Sequence, residues 1–277
     1  MSGSLRFTSG GKSVSGGALS PRTSRSSTAQ AAAYFSGGGP NFPTFVEYLV
    51  VAGGAGGGGN AAGPGGGGAG GARTGNLTIN GGAALTVTVG GGGAGFAYGS
   101  GSQFASISAT GGGVGGSGNG GGGAGGSGGG GSNNSGAGTS PGGAGNAGGY
   151  TPSEGSNGGS GSSDDNTYRQ GGNGGSKSLN TSITGTSVTY ANGGLGGGTY
   201  NNSQGNQAAN TGNGGIAASP YWNVFNPFAG GSGIVVVSYA DSFDNLTSVG
   251  AGLSYTLTLS GGKKIYKFTS GSGTVVV

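Results

Sequence analysis

The stretch that decides the fold is residues 45–59, FVEYLVVAGGAGGGG, in which an apolar strand passes directly into a run of glycine. Residues 45–51 are apolar at almost every position except Glu47, and this pattern predicts a strand that is covered on both faces. Glycine has no side chain to bury, so the residues that follow can pack only if backbone lies directly on backbone.

The glycine-rich block that begins here runs for most of the chain. Of the 81 glycines, 67 lie between Gly53 and Gly233, and the block ends at a second apolar strand, Ile234–Tyr239. We expect the two apolar strands to pair and to close the base of the block. Disorder is the alternative that such a composition raises, whereas the lack of a Gly-X-Y period argues against collagen.

The predicted fold class is mostly irregular and β. We expect a polyglycine-II helix bundle closed by short β-strands, with a small C-terminal antiparallel β appendage, because extended threefold glycine helices can bond to neighbours on all sides. Within the block, residues 77–89 (LTINGGAALTVTV) alternate apolar residues around Asn80, Gly81 and Gly82, which predicts a β-hairpin.

Changes in composition predict three domains. Residues 1–44, rich in Ser, Thr, Gly and Ala, form an N-terminal arm for attachment or assembly, and residues 45–239 form the glycine-rich polyglycine-II domain. Residues 240–277 form a small β module, in which LSYTLTL, KIYKFT and the last four residues alternate like short strands.

The side-chain chemistry of the chain is sparse. There is no cysteine and no histidine, and only 6% of residues are charged. These absences exclude a disulfide framework, a thiolate metal site and any imidazole-dependent triad, so we expect no enzyme, no metal and no cofactor. Asp164 and Asp165 are adjacent acids that we interpret as part of a solvated loop, because neighbours on an extended chain point in opposite directions.

Two further classes of partner are disfavoured. The net charge of +4 comes mainly from the two ends of the chain, without the clustered basic face that a nucleic-acid partner requires. No apolar run approaches the roughly 18 residues of a membrane span, and no signal peptide follows Met1, so membrane insertion is not expected.

Aromatic residues in the loops are the candidate binding residues. Residues 219–228 (SPYWNVFNPF) hold the single tryptophan of the chain between two prolines, and such a stiffened aromatic loop offers a large contact area at low entropic cost. An alternative is that these aromatics plug the end of the bundle. The candidate receptor-binding residues are Tyr221, Trp222, Phe225, Tyr168 and Tyr200.

The apolar strands and their glycine flanks also carry a resemblance. Residues 46–54 (VEYLVVAGG), the later segment GGSGIVVV and the C-terminal KIYKFTSGSGTVVV resemble the glycine-rich domain of bacteriophage tail-fibre and receptor-binding (adhesin) proteins. The resemblance implies a virion structural protein, a tail-fibre or spike adhesin, in which variable loops bind a host surface glycan or an outer-membrane protein. It places the chain on the virion, in a tail or surface fibre, in contact with other virion proteins.

Alternatives to the adhesin stay open at this point. A capsid decoration or head-fibre protein without receptor binding would use the same scaffold. An ice-binding protein would need regular ranks of Thr, and a polysaccharide depolymerase would need grouped carboxylates. A homotrimer is expected because fibres assemble symmetrically.

Overall fold

The computed structural model describes residues 6–9, 12–15, 41–59, 63–133, 140–164, 168–198, 205–218 and 226–277. The chain divides into two compact units, Met1–Asn41 and Phe42–Val277. The first unit contains an antiparallel hairpin of β1 (Arg6–Ser9) and β2 (Lys12–Ser15). The predicted domain limits at residues 44 and 239 stay predictions.

The second unit contains strands, turns and extended segments, and no helix, in the part that the structure describes. Its strands are β3 (Phe45–Val51), β4 (Ala72–Thr78), β5 (Ala84–Val89), β6 (Ser102–Phe104), β7 (Ile107–Ala109), β8 (Ser162–Asp164), β9 (Tyr168–Gln170), β10 (Leu179–Thr181), β11 (Val188–Tyr190), β12 (Ile234–Ala240), β13 (Ser248–Val249), β14 (Leu253–Ser260) and β15 (Lys263–Val276).

Nine of these strands form one antiparallel sheet in the order β4-β3-β12-β15-β5-β6-β7, with β13 and β14 along the other edge of β15. Alternate residues of β3 and β12, among them Val46, Val50, Val235 and Val237, face an apolar interior that also receives Phe104. The predicted pairing of the two apolar strands is confirmed, with Val51 opposite Ile234.

The two ends of this sheet meet, so the sheet is nearly closed and barrel-like. Strand β4 lies at one end of the order and β7 at the other. The N–H of Gly71, just before β4, donates to the carbonyl oxygen of Thr110, just after β7, at 2.8 Å. The Arg73 guanidinium donates from Nη1 to the carbonyl oxygen of Ser108 at 3.0 Å. Closure places the apolar faces inside, which removes them from water.

The outer face of β3 and β12 is covered as well. A second apolar cluster contains Leu49, Val51 and Val236, and the β10–β11 hairpin packs against it through Leu179 and Val188. This arrangement confirms that the first apolar strand is buried on both faces. Glu47, the one charged residue of β3, lies near the edge of the β10–β11 hairpin.

The glycine-rich segments form a layer at one end of the barrel. We call the described glycine-rich segments between Ala52 and Gly233 that lie outside the strands the glycine layer. Along an extended segment of this layer, successive N–H groups donate to different neighbouring segments in rotation. Along the first segment the donors and acceptors are Ala52 to Gly71, Gly53 to Ser100, Gly54 to Gly231, Ala55 to Gly68, Gly56 to Ala97, Gly57 to Phe228 and Gly58 to Gly65.

The predicted polyglycine-II helix bundle is wrong as a fold class. The described residues contain no helix, and the organising element is the antiparallel barrel-like sheet. The predicted C-terminal β appendage is also wrong, because β15 pairs with both β12 and β5 and is part of that sheet. The physical reason is that a core needs side chains, so the apolar strands from both ends of the chain assemble together and the glycine segments attach to them.

Residues 77–89 contain the predicted turn, but the two strands that flank it do not pair with each other. Ala83 N–H donates to the carbonyl oxygen of Asn80 at 3.0 Å, as a turn requires. Strand β4 then pairs with β3, and β5 pairs with the second half of β15. The barrel gives every residue of β4 a partner on β3 and every residue of β5 a partner on β15, so tertiary pairing overrides the local signal.

Candidate functional site

The glycine layer has a base, where it joins the strands of the barrel, and a far end, which lies away from the barrel. Ala52 bonds to Gly71 beside the barrel, whereas Gly58 bonds to Gly65 two steps further out. The chain therefore reverses at the opposite end, between Gly59 and Gly63. We call the end marked by Gly59, Gly63, Asn133, Gly198 and Ala218 the far end.

Contacts among the described residues bring these five markers together. Gly63 and Asn133 exchange two backbone hydrogen bonds, at 2.9 and 2.7 Å. Gly198 forms an isolated bridge with Gln170 of β9, and Ala218 N–H donates to the carbonyl oxygen of Gly58 at 3.0 Å. The described segments that contain these five residues therefore lie close together.

Small polar side chains fasten the far end. Asn133 is buried, and its amide nitrogen donates to the carbonyl oxygen of Ser162 at the start of β8. The Ser132 hydroxyl lies 2.7 Å from the carbonyl oxygen of Gly120, and the Ser117 hydroxyl accepts a hydrogen bond from Gly59 N–H at 3.0 Å. These bonds satisfy backbone groups that the ends of the segments would leave unpaired.

Of the predicted site residues, only the backbone of Tyr168 lies within the described residues. Tyr168 begins β9, two residues before Gln170. Tyr200 follows Gly198 along the chain, and Tyr221, Trp222 and Phe225 follow Ala218; these four residues lie outside the described residues. The described anchors of the three segments lie close together, since Gly197 N–H donates to Pro64 while Gly198 bridges to Gln170.

Sequence analysis missed the residue that fastens the base of the layer. Glu154 is completely buried, and its carboxylate accepts hydrogen bonds from Thr110 N–H at 2.8 Å and Gly148 N–H at 3.2 Å. The backbone carbonyl oxygen of Glu154 accepts a hydrogen bond from Ala72 N–H at 3.0 Å. The missing side chain at Gly71 leaves the room that this carboxylate occupies. In the sequence, the one sign of this role is that Glu154 is a lone acid within a glycine-rich run.

Neither a cluster of metal ligands nor a membrane-spanning helix is present in the part of the chain that the structure describes. That part holds no group of three acidic residues able to bind a metal ion. It also contains no helix of the length and apolar character needed to cross a membrane. Neither finding bears on the residues outside it.

Comparison with known proteins places the sequence within one family. The family model described as a glycine-rich domain matches residues 34–240, about three quarters of the chain. No curated protein and no solved structure matches the chain significantly.

Proposed function

The chain belongs to the glycine-rich domain family, and on that premise we propose that it is a bacteriophage virion structural protein, a tail-fibre or spike adhesin. In this proposal the far end of the glycine layer binds a host cell-surface receptor, either a surface glycan or an outer-membrane protein. Binding is the whole activity, with no chemical step and no cofactor.

The observation that carries the proposal is the meeting of five chain segments at the far end. Gly63, Asn133, Gln170 and Gly198 are joined there by backbone bridges. Loops that leave such a base start from fixed points, and fixed starting points lower the entropic cost of ordering a binding surface. The aromatic segments at residues 199–204 and 219–225 start from these points.

The packing of the layer supports its use as a rigid support. A Cβ at Gly66 would lie 2.1 Å from the carbonyl oxygen of Gly194, and one at Gly129 would lie 1.9 Å from that of Val114. Segments that approach so closely have little freedom to slide. A rigid support lets several copies on one virion engage together, so that weak contacts combine into avidity. A homotrimer attached to other virion proteins through residues 1–44 would provide such copies.

The first experiment measures binding to cells. Fluorescently labelled protein is added to a panel of bacterial strains, and competition with virion adsorption is measured on each strain that binds. We expect saturable binding to at least one strain and competition on that strain. A protein that binds no strain susceptible to its virus contradicts the adhesin and supports the capsid decoration or head-fibre alternative.

Variants then locate the binding surface. Trp222→Ala is expected to weaken cell binding at least about tenfold, as removal of a central aromatic anchor does. Tyr255→Ala removes an aromatic residue that is 45% exposed on β14 of the barrel, and it is expected to leave cell binding unchanged. Equal loss in both variants, or no loss in Trp222→Ala, contradicts binding at the far end.

A further inference from the structure

A cleft lies on the flank of the barrel, away from the far end. It has a volume of about 350 Å³ and lies between the β10–β11 hairpin and strands β3, β4 and β15. Its lining consists of Glu47, Thr74, Gly75, Asn76, Thr181, Ser182, Ile183 and Lys263. We propose that this cleft binds a neutral, hydroxyl-rich ligand of one or two sugar units.

An ion pair forms the floor of the cleft, and both of its side chains can form further hydrogen bonds. Lys263 Nζ lies 2.8 Å from Oε1 and 2.7 Å from Oε2 of Glu47, and both side chains are about half exposed. An ammonium has three donors and each carboxylate oxygen has two lone pairs, so each partner retains capacity toward the cleft. A vicinal diol can use both, by donating to the carboxylate and accepting from the ammonium.

The walls supply uncharged groups that both donate and accept. Thr74 and Asn76 are exposed on the outer face of β4, and Ser182 is exposed at the end of the hairpin. The Thr74 hydroxyl donates to the carbonyl oxygen of Tyr48 at 2.9 Å, which leaves its lone pairs as acceptors. Ile183 adds one apolar contact. A few polar groups around an apolar contact are typical of small-ligand sites.

The cleft is held in shape by elements on both sides. Glu47 and Asn76 lie directly opposite each other in the β3–β4 ladder. On the other side, Leu179, Ile183 and Val188 of the hairpin region pack on the second apolar cluster. A site assembled from strands and a packed hairpin is preformed, so little binding energy is lost in ordering it.

The charges of the cleft select against other ligand classes. One carboxylate and one ammonium leave no net charge, which gives a phosphate or a polyanion no advantage. A single carboxylate is too few ligands for a divalent cation. The lining is mostly polar, which disfavours an apolar ligand. Neutral polyols remain the class that uses the groups present.

This inference goes beyond the proposed function and does not depend on it. The cleft lies between the barrel and the hairpin, and none of its lining residues is among the markers of the far end. Sugar binding at the cleft can therefore be measured separately from cell binding.

The experiment titrates the full chain with a panel of neutral mono- and disaccharides, and saturation-transfer NMR measures binding up to about 10 mM, the range of weak sugar sites. We expect at least one sugar to bind, and N-acetylneuraminic acid, a charged comparison, to bind more weakly. Asn76→Ala and Lys263→Met are expected to weaken binding at least fivefold. Thr78→Ala, an exposed change on the same strand outside the cleft, is expected to leave it unchanged.

Three outcomes overturn the proposal. The first is that no sugar of the panel binds. The second is that binding is the same in Asn76→Ala, Lys263→Met and the unaltered chain, with circular dichroism showing all three folded. The third is that Trp222→Ala abolishes the sugar binding while the cleft variants retain it, which would place the sugar at the far end and leave the cleft without a ligand.

Discussion

Single glycines in the layer differ in how much room each leaves for a methyl group. A Cβ at Gly65 would lie 1.9 Å from the carbonyl oxygen of Gly130, which is backbone and cannot turn aside. A Cβ at Gly91 would have no heavy atom within 4 Å, and its φ is not in the left-handed region. The need for glycine is therefore set by the neighbouring segment at each position.

This contrast gives the first prediction. Gly65→Ala is expected to lower the free energy of unfolding by about 3 kcal/mol or more, because the added methyl forces two segments apart. Gly91→Ala is expected to be neutral or to raise it by up to about 1 kcal/mol, because alanine reduces the freedom of the unfolded chain. Urea unfolding of the two variants measures both, and equal effects would contradict backbone-on-backbone packing at Gly65.

A buried acid gives the second prediction at this scale. Glu154→Gln keeps the shape of the side chain but turns an NH2 group toward one of the two N–H donors, Thr110 or Gly148. We expect a loss of about 1–3 kcal/mol in the free energy of unfolding. Glu47→Gln makes the same change at a carboxylate that is 38% exposed, where about 0–1 kcal/mol is expected. Similar losses at the two sites would contradict the role of Glu154 in fastening the base.

Among the elements, β15 has the largest effect on the architecture. Its first half pairs with β12 and β14, and its second half pairs with β5 and β13. Ile265 faces the outer apolar cluster, whereas Tyr266 and Phe268 face the interior. One strand thus carries the sheet from the glycine-flanked strands to the rest of the barrel.

Two buried tyrosines, Tyr190 on β11 and Tyr239 on β12, make stability depend on alkaline pH. Burial is the main cause that raises the pKa of Tyr239 above its ordinary value of 10.0, and the neighbouring Tyr266 adds to it. Burial also raises the pKa of Tyr190. A raised pKa in the folded state means that the unfolded chain loses the proton first, so the stabilisation is complete below pH 10.0 and falls as pH rises through the folded-state pKa.

The third prediction follows from that sign. The free energy of unfolding is expected to fall by up to about 1.4 kcal/mol per pH unit for each of the two tyrosines above pH 10. Urea unfolding between pH 8 and pH 11 measures the slope. Tyr239→Phe should have the smaller slope, although it loses the 3.1 Å hydrogen bond to the carbonyl oxygen of Asp244. Identical slopes would show that Tyr239 ionises equally in both states.

At the scale of the whole molecule, the barrel and the glycine layer share their backbone connections at the base. The segments that enter and leave the layer continue β3, β4, β7 and β12 without a linker. Gly233 N–H, just before β12, also donates to the carbonyl oxygen of Gly90, just after β5. Separation of the layer from the barrel would break bonds on both sides of the base.

The fourth prediction is that the two parts open together. Amide hydrogen exchange at residues 52–58 and 65–71 is expected to be as slow as in β12, because these N–H groups donate to carbonyls within the layer. Mass spectrometry of the exchanging protein, with peptides from both regions, measures this. Fast exchange at residues 65–71 beside a protected β12 would mean that the layer opens independently, and the rigid support for the loops would be lost.

The candidate binding residues, Trp222 and the tyrosines, stay a prediction from composition and loop context. Nothing in the sequence brings Gly63, Asn133 and Gly198 together, since those contacts join residues far apart along the chain. The cleft at Glu47 and Lys263 was likewise out of reach of sequence analysis.

What the sequence determined by itself is the pair of apolar strands: residues 45–51 and 234–239 are strands, both are covered on two faces, and they pair. The near-continuous apolar residues of both strands carry that information in their side chains. Only the tertiary structure decided that β5 leaves β4 for β15, that β15 lies within the sheet, and that Glu154 fastens the base. A backbone N–H can donate to any carbonyl that reaches it, and a glycine segment carries no side chain that specifies its neighbour, so those choices are made only when the whole chain packs.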